Sequence, residues 1–346
     1  MKLLQTMAGG SVGGAEEFFV RLATALDQIG MNQRLVVRPN KIRNNILKQA
    51  GLSVRELKYG NRLDRGTISE LTFEIDRFAP NIVLSWMGRA SIISGQAINR
   101  ACQNPVLIGR LGGYYKLKRF RKCNYLIANT PDIVDYLIGE GWPQERVCYV
   151  PNFVDPQKGI KIPKVELGIP ENAPLLLAAG RLHTNKAFDV LLAAMAICDE
   201  VHLMIAGNGE QAGPLHRLAM DLGVHDRVRF LGWRTDMSNL MATADLLVCP
   251  SRSEPLGNIV IEAWARNLPV IAAASQGPSW LIRHNEDGVL VPVDDSNSMA
   301  NAISLLCRSP KEQQRLSLSG QKRYQEEFTE EIVVKQFLSL FRRVIS

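Results

Sequence analysis

The chain has 346 residues, 46% hydrophobic and 22% charged, with a formal net charge of +7. That length exceeds one ordinary core and fits two domains, and no apolar run reaches the roughly eighteen residues needed to cross a bilayer. The opening "MKLLQTMAGG" carries one lysine and a very short apolar run, as a buried first strand does and a signal peptide does not, while six scattered cysteines without C-x-x-C spacing read as reduced core thiols of a cytosolic protein.

The first half alternates short apolar runs with helical periodicity. "KLLQTM" (2–7) is predicted as a buried strand, and 15–30 places Phe18, Phe19, Leu22, Ala23, Leu26 and Ile29 on one helical face. "QRLVV" (33–37) follows as a strand. Residues 67–80 carry Ile68, Leu71, Ile75 and Phe78 at helical spacing before the strand "NIVLSW" (81–86). A helix over 91–102 leads to "PVLIGR" (105–110). Then come "YLIANT" (125–130), a helix from Pro131, and "RVCYV" (146–150). Strands separated by amphipathic helices imply parallel β–α units with helices on both faces.

Between 151 and 174 the alternation stops, and four prolines after Pro151 mark a linker. It restarts with "LLLAAG" (175–180), a helix over 187–198, "VHLMIAG" (201–207) and a helix over 210–222. "RVRFLGW" (227–233), a helix over 235–243, "DLLVCP" (245–250), a helix over 257–266 and "PVIAAA" (269–274) follow. From about 296 to 346 the pattern is helical, with no further strand. The expected architecture is α/β: two doubly wound, Rossmann-like parallel-sheet domains in series, 1–155 and 156–328. Open parallel sheets bind ligands at the carboxyl ends of their strands. Two such sheets facing a central cleft would each contribute one wall, and the motifs lie just after strands.

The charge is uneven. Residues 1–155 hold 21 Lys and Arg against 13 Asp and Glu, and 156–346 hold 20 against 21. Part of the excess sits in "YYKLKRFRK", where Tyr114, Tyr115 and Phe120 interleave with Lys116, Lys118, Arg119, Arg121 and Lys122. Such a face suits nucleic acid, an anionic membrane or a phosphorylated substrate. A solvated basic helix is the alternative.

"MAGGSVGGAEE" (7–17) follows the first strand and opens the first helix, so its glycines allow close backbone approach and the helix start favours an anion. It is not the dinucleotide fingerprint. Ala8 stands where the first glycine is needed, and the second strand ends "LVVRPN" without an acid. A tight turn without ligand contact is the alternative here. In the second half, "AAGRLHTNK" (178–186) puts Gly180, Arg181 and Lys186 on a strand-to-helix turn, where a guanidinium fork and a point charge can converge on a diphosphate. Surface cations capping a loop are the competing reading. The chain has no D-x-D motif, so these cations are expected to supply the neutralisation a divalent metal gives elsewhere.

"SEPLGNIVIE" (253–262) combines two carboxylates with a glycine turn. Pro255 biases Glu254 toward an extended loop conformation. Gly257 and Asn258 start a helix whose free N–H groups suit a phosphate, and Glu262 lies about one turn further on. That layout matches a nucleotide-sugar, with Glu254 accepting from sugar hydroxyls and Glu262 from the ribose.

At this point the chain resembles glycosyltransferase family 4, the retaining nucleotide-sugar-dependent enzymes of the GT-B fold. The E-x7-E pair Glu254/Glu262, the G-R-x4-K run from Gly180 to Lys186, the glycine loop before the first helix, "PNFVD" (151–155) and "GNGE" (207–210) carry the resemblance over nearly the whole length. It implies that Arg181 and Lys186 bind the donor diphosphate and that Glu254 contacts the donor sugar. Leu256, Gly257 and Asn258 would offer backbone N–H groups, Glu262 would hold the ribose, and Asn208 would join the donor-binding set. Gly13 and Gly14 would approach the diphosphate from the first domain. It also implies that a final helix, roughly 329–346, crosses back onto the first domain, and that neither a metal nor a cofactor is needed beyond the donor.

One departure stands out. Many members of the family this chain resembles carry a cleft histidine in the first domain, whereas all five histidines here (183, 202, 216, 225, 284) lie in the second half. Gly112, Gly113 and Tyr114 occupy the comparable loop, so backbone N–H groups or Tyr114 would substitute. Retention without an obvious nucleophile suggests same-face displacement, with Glu254 as a covalent nucleophile the alternative. The basic first domain, with Arg89 added to 114–122, points to an anionic acceptor at a membrane: lipopolysaccharide core or another lipid-linked glycan. A soluble acceptor, a nucleotide-sugar epimerase and a non-catalytic binding protein are the competing functions. No nucleic-acid partner is expected, and the protein is placed in the cytoplasm, docking on the inner face of the membrane.

Overall fold

The computed structural model describes residues 1–10, 13–60 and 64–345, so part of the glycine-rich 7–17 motif and the last residue of the expected final helix lie outside it. Two compact units emerge. One comprises Met1–Phe153 with the last helix, and the other is Val154–Thr329.

The first unit runs β1 (Lys2–Met7), α1 (Gly14–Gln28), β2 (Asn32–Val37), α2 (Lys41–Gln49), β3 (Val54–Glu56) and α3 (Arg65–Phe78). It continues with β4 (Ile82–Trp86), α4 (Met87–Ile98), β5 (Val106–Leu111), β6 (Tyr125–Ala128), α5 (Pro131–Gly139) and β7 (Val147–Tyr149). Its sheet has the order β3-β2-β1-β4-β5-β6-β7, and every pairing is parallel. Both faces are covered, as the near-continuous apolar strands require. Phe18, Phe19, Leu22 and Leu26 of α1 share one core with the last helix, and Ile68, Leu71 and Ile75 of α3 share the other with Ala90, Ile93 and Ala97 of α4. At the C-terminal end of β5, Arg110 is buried. It donates to Val150 O (3.2 Å) and Asn152 Oδ1 (2.5 Å), with the rings of Phe18 and Phe337 about it at 4.8 and 5.3 Å.

The second unit runs β8 (Leu175–Ala179), α6 (Phe188–Ile197), β9 (His202–Ala206), α7 (Ala212–Asp221), β10 (Val228–Gly232), α8 (Met237–Thr243) and β11 (Leu246–Cys249). There follow α9 (Asn258–Ala265), β12 (Val270–Ala273), α10 (Gln276–Leu281), β13 (Val289–Val291), α11 (Ser296–Cys307) and α12 (Pro310–Glu327). Its parallel sheet has the order β10-β9-β8-β11-β12-β13. The chain then enters α13 (Glu330–Ile345), whose Val333, Phe337, Leu340 and Phe341 are buried in the first unit. Glu330 and Glu331 in its first turn and Arg342 and Arg343 in its last match the helix dipole.

Four elements have no counterpart in the sequence reading: α2, β3, α10 and β13. Helix α2 buries Arg43, Asn44 and Leu47, so its inward face is mostly polar and shows no apolar period. The strands β3 and β13 are three-residue edges, and α10 reads "QGPSWL", with Gly and Pro inside it. In the basic segment, the helical alternative and an outward place for Phe120 are corrected. The segment is not a helix but a single 3-10 turn, Leu117–Arg119, followed by Phe120, which is fully buried against α4 and β5 and cannot reach a membrane.

Helix α12 lies on α9, where a Cβ on Gly320 would stand 2.3 Å from Cδ1 of the buried Trp264 ring. The indole is pinned by donating to Asp287 O (2.9 Å), so it cannot step aside. Gly320→Ala is expected to cost ~1–3 kcal/mol by overpacking, seen as a lower Tm. Gly139→Ala, with nothing within 4 Å of its Cβ, should leave Tm unchanged or raise it.

Candidate functional site

In the second unit the strand order reverses between β8 and β11, which is where an open parallel sheet receives its ligand. The loop after β8 is built on glycine. Gly180 N donates to Ala206 O (3.0 Å) and Leu182 N to Asn208 O (3.0 Å), so 180–182 and 207–209 extend the β8–β9 pairing past the strands. A Cβ on Gly207 would lie 1.9 Å from Gly180 O, and one on Gly209 2.3 Å from Leu182 O. Both positions need glycine for close backbone approach. Asn208 is left exposed between them, and Arg181 is exposed on the neighbouring loop.

Lys186 ends a 3-10 turn, Thr184–Lys186, and its Nζ donates to Glu254 Oε2. The two side chains are 25% and 14% exposed, and Ser251 Oγ donates to the same oxygen of Glu254 at 3.4 Å. Gly180 gives the lysine stem room, since a Cβ there would stand 3.1 Å from Lys186 Cε. Burial is the largest effect and pulls the ammonium down, but Glu254 together with Cys249 more than offsets it, while the nearby Arg181 charge opposes; the net is a pKa above the ordinary lysine value. Below the pair, burial first and then Glu254 push the Cys249 thiol up. Thus two motifs read separately in the sequence meet as one ion pair.

Glu254 is held from the other side as well. Gly277 N donates to Glu254 O (2.8 Å), and a Cβ on Gly277 would lie 2.4 Å from Leu256 O. Leu256 is buried, Gly257 has φ +88° and precedes α9, and Asn258 and Glu262 are half-buried at its first residue and second turn. Nothing in the sequence singles out Arg252, Asp189 or Asp294. Yet Arg252 binds Asp189 through two nitrogens and Asp294 through Nε, across 63 and 42 positions of chain.

In the first unit, Gly10 N donates to Glu16 Oε1 (2.8 Å), so the first-turn carboxylate of α1 reaches back over the glycine loop. A Cβ on Gly9 or Gly13 would stand 2.3 and 2.6 Å from Glu16 oxygens. Gly13 is half-buried and Gly14 exposed. Tyr114 donates its hydroxyl to Asp132 and packs edge-on to Tyr136, at 5.3 Å; burial, then Asp132, hold its pKa up. Tyr115 is half-buried against Phe120. The cations Arg89, Lys116, Lys118, Arg119, Arg121 and Lys122 are exposed. Two of them are seated on α4, where a Cβ on Gly88 would meet Arg119 Cδ at 2.4 Å and one on Gly95 would meet Lys122 Cβ at 2.6 Å. Among the described residues, no helix is long and apolar enough to cross a membrane.

The family model described as "Glycosyl transferases group 1" matches residues 160–323. The chain is 33% identical over 334 residues to the lipopolysaccharide core biosynthesis glycosyltransferase LpsE of Rhizobium meliloti (strain 1021), with 96% of each chain covered. LpsD of the same organism and description is 30% identical, with 97% of each covered. Among solved structures, Anabaena HepE in complex with UDP superposes with a TM-score of 0.89 at 22% identity, covering 99% of this chain and 100% of that one.

Because the Lys186 pKa is raised, the ion pair stabilises the fold fully below the ordinary lysine pKa, and the contribution disappears as pH climbs through the raised value. Glu254→Gln removes the main influence opposing burial, so the Lys186 pKa should fall. Amine labelling of Lys186 against pH, followed by mass spectrometry, should show its midpoint shifted down. An unchanged midpoint would contradict the pairing.

Proposed function

The chain belongs to the group 1 glycosyltransferases and is a glycosyltransferase of GT-B fold; on that premise we propose that it is a retaining family 4 enzyme. In this reading it moves a hexose from a nucleotide-diphosphate sugar onto the core region of a lipopolysaccharide or a similar lipid-linked glycan. The observation that carries the donor half is the meeting of Arg181, Lys186 and Glu254 at the β8/β11 switch point, above glycine-built loops. The acceptor half is supported by LpsE and LpsD being lipopolysaccharide core biosynthesis glycosyltransferases and by the exposed cations of the first unit. HepE, which shares the fold, was crystallised with UDP, in keeping with a nucleotide-linked donor.

The donor diphosphate draws Lys186 and Arg181, while Glu254 accepts from sugar hydroxyls and Glu262 from the ribose. Asn208, Gly257 and Asn258 line the same loops, with Gly13 and Gly14 the proposed first-unit contribution. The bond from the anomeric carbon to the diphosphate oxygen breaks, and a bond to the acceptor oxygen forms on the same face. The acceptor proton passes to the departing diphosphate oxygen, so no protein nucleophile is consumed. Arg181 and Lys186 stabilise the charge developing on the leaving group, and no metal ion is asked for in that role. Glu254, ion-paired to Lys186, is poorly suited to attack. With Tyr114 already donating to Asp132, the backbone N–H groups of 112–113 are the better substitutes for a first-domain histidine.

Arg181→Ala with Lys186→Ala should lower turnover by about 100-fold or more, since each such donor contributes several kcal/mol to the transition state. The circular dichroism spectrum should be unchanged, and EDTA should leave the wild-type rate largely unaltered. A double variant with near-normal turnover, or strict metal dependence, would refute this account. The donor itself is found by thermal shift against a panel of nucleotide-sugars.

The membrane half has its own test. A basic residue near an anionic bilayer contributes about 1 kcal/mol, and Lys116, Lys118, Arg119, Arg121 and Lys122 are all exposed. Sedimentation with anionic liposomes should show binding that about 0.5 M salt releases, and Gln at all five positions should abolish it without changing donor affinity. A wild type that ignores anionic liposomes at low salt would leave a soluble acceptor as the better reading.

A further inference from the structure

Arg252 lies in the loop that carries Glu254, and its backbone and guanidinium both reach the turn that carries Lys186. Its backbone N donates to Asn185 O (2.8 Å), and Ser253 N donates to the same oxygen (3.3 Å). The guanidinium extends the link. Nη1 donates to Thr184 O (2.8 Å) and to Asp189 Oδ1 (2.9 Å), and Nη2 donates to Asp189 Oδ2 (2.6 Å). Nε reaches Asp294 Oδ1 (2.5 Å), where the chain has left β13 and turns with φ +62°.

One planar fork therefore joins the β8–α6 turn, the β11–α9 loop and the turn before α11. Its partners are all third parties to the chemistry, and Asp189 stands in the first turn of α6, three residues after Lys186. A half-exposed ion pair adds little to stability, whereas a bidentate arginine fixes direction and distance. Such a contact is better placed to set geometry than to hold the fold.

We propose that Arg252 is a positioning residue that locks the Lys186 turn to the Glu254 loop, so that the ion pair is presented at one fixed place in the donor site. The proposal rests on the donor reading of Lys186 and Glu254 only for its effect on turnover; the locking itself is independent of what the donor is.

The test uses the full chain with Arg252→Ala and Arg252→Lys, the second keeping the charge while losing the fork. Amine labelling of Lys186 at fixed pH, normalised to the exposed Lys122, should rise several-fold in both variants, with Tm within a few degrees of wild type, as expected for a surface pair. Turnover should fall about tenfold or more while donor KM changes less than about threefold, the signature of misplaced rather than missing groups. In a Lys186→Ala background the further loss from Arg252→Ala should vanish, because residues acting as one unit are not additive. Unchanged Lys186 labelling in both variants overturns the proposal, as does an Arg252→Ala loss that repeats undiminished in Lys186→Ala. If the wild type transfers from no nucleotide-sugar, the donor reading fails, and labelling alone decides the lock.

Discussion

The parallel pairing of β8 with β11, Leu176 beside Leu246 and Leu177 beside Leu247, is the constraint on which the candidate site of the second unit depends. Two strands running the same way release their loops at the same edge of the sheet. With β9 on the far side of β8 and β12 on the far side of β11, the β8/β11 pair is the switch point at which an open parallel sheet receives its ligand. The 180–186 and 251–254 segments are brought together by that register, across 68 positions between Lys186 and Glu254. No local preference of either segment would do it.

Charge is handled differently in the two units. In the first, Arg110 sits buried among aromatic faces with carbonyl and amide oxygens as acceptors, an arrangement that ties the end of β5 to the segment entering the second unit and to α13. That cation is structural. In the second, Lys186 is partly open to solvent and neutralised by a carboxylate whose own hydrogen bonds come from a serine hydroxyl. Such a pair adds modestly to stability, because desolvation opposes the Coulomb attraction. Under the proposed function, a phosphate would replace Glu254 as partner of Lys186, and a sugar hydroxyl would replace Lys186 as partner of Glu254.

Glycine enters the site in two distinct ways. At Gly207, Gly209 and Gly277 it removes a Cβ that would collide with neighbouring backbone, so the loops can close to hydrogen-bonding distance. At Gly88 and Gly95, inside α4, it makes beds for the stems of Arg119 and Lys122, which keeps their charged heads on the surface. Helix interiors disfavour glycine by roughly 1 kcal/mol relative to alanine, so Gly95 trades helix stability for the placement of a cation.

By itself the sequence determined the strand and helix alternation of both halves, the buried faces of α1 and α3, the break after Pro151, and the residue types at the strand ends. Those features are local: apolar period, proline and glycine punctuation, and motif spacing act within a turn or a strand. The elements it left silent, α2, β3, α10 and β13, have a polar inward face, only three residues, or a Gly-Pro pair, so their formation rests on the neighbours they pack against. Only the tertiary structure decided that Lys186 pairs with Glu254, that Arg252 joins three loops, that Glu16 folds over its own glycine turn, and that Phe120 faces inward among basic neighbours. Each of these depends on which strands lie side by side and which way a loop turns. Contacts between residues tens of positions apart are set by that packing, and composition and period carry no record of it.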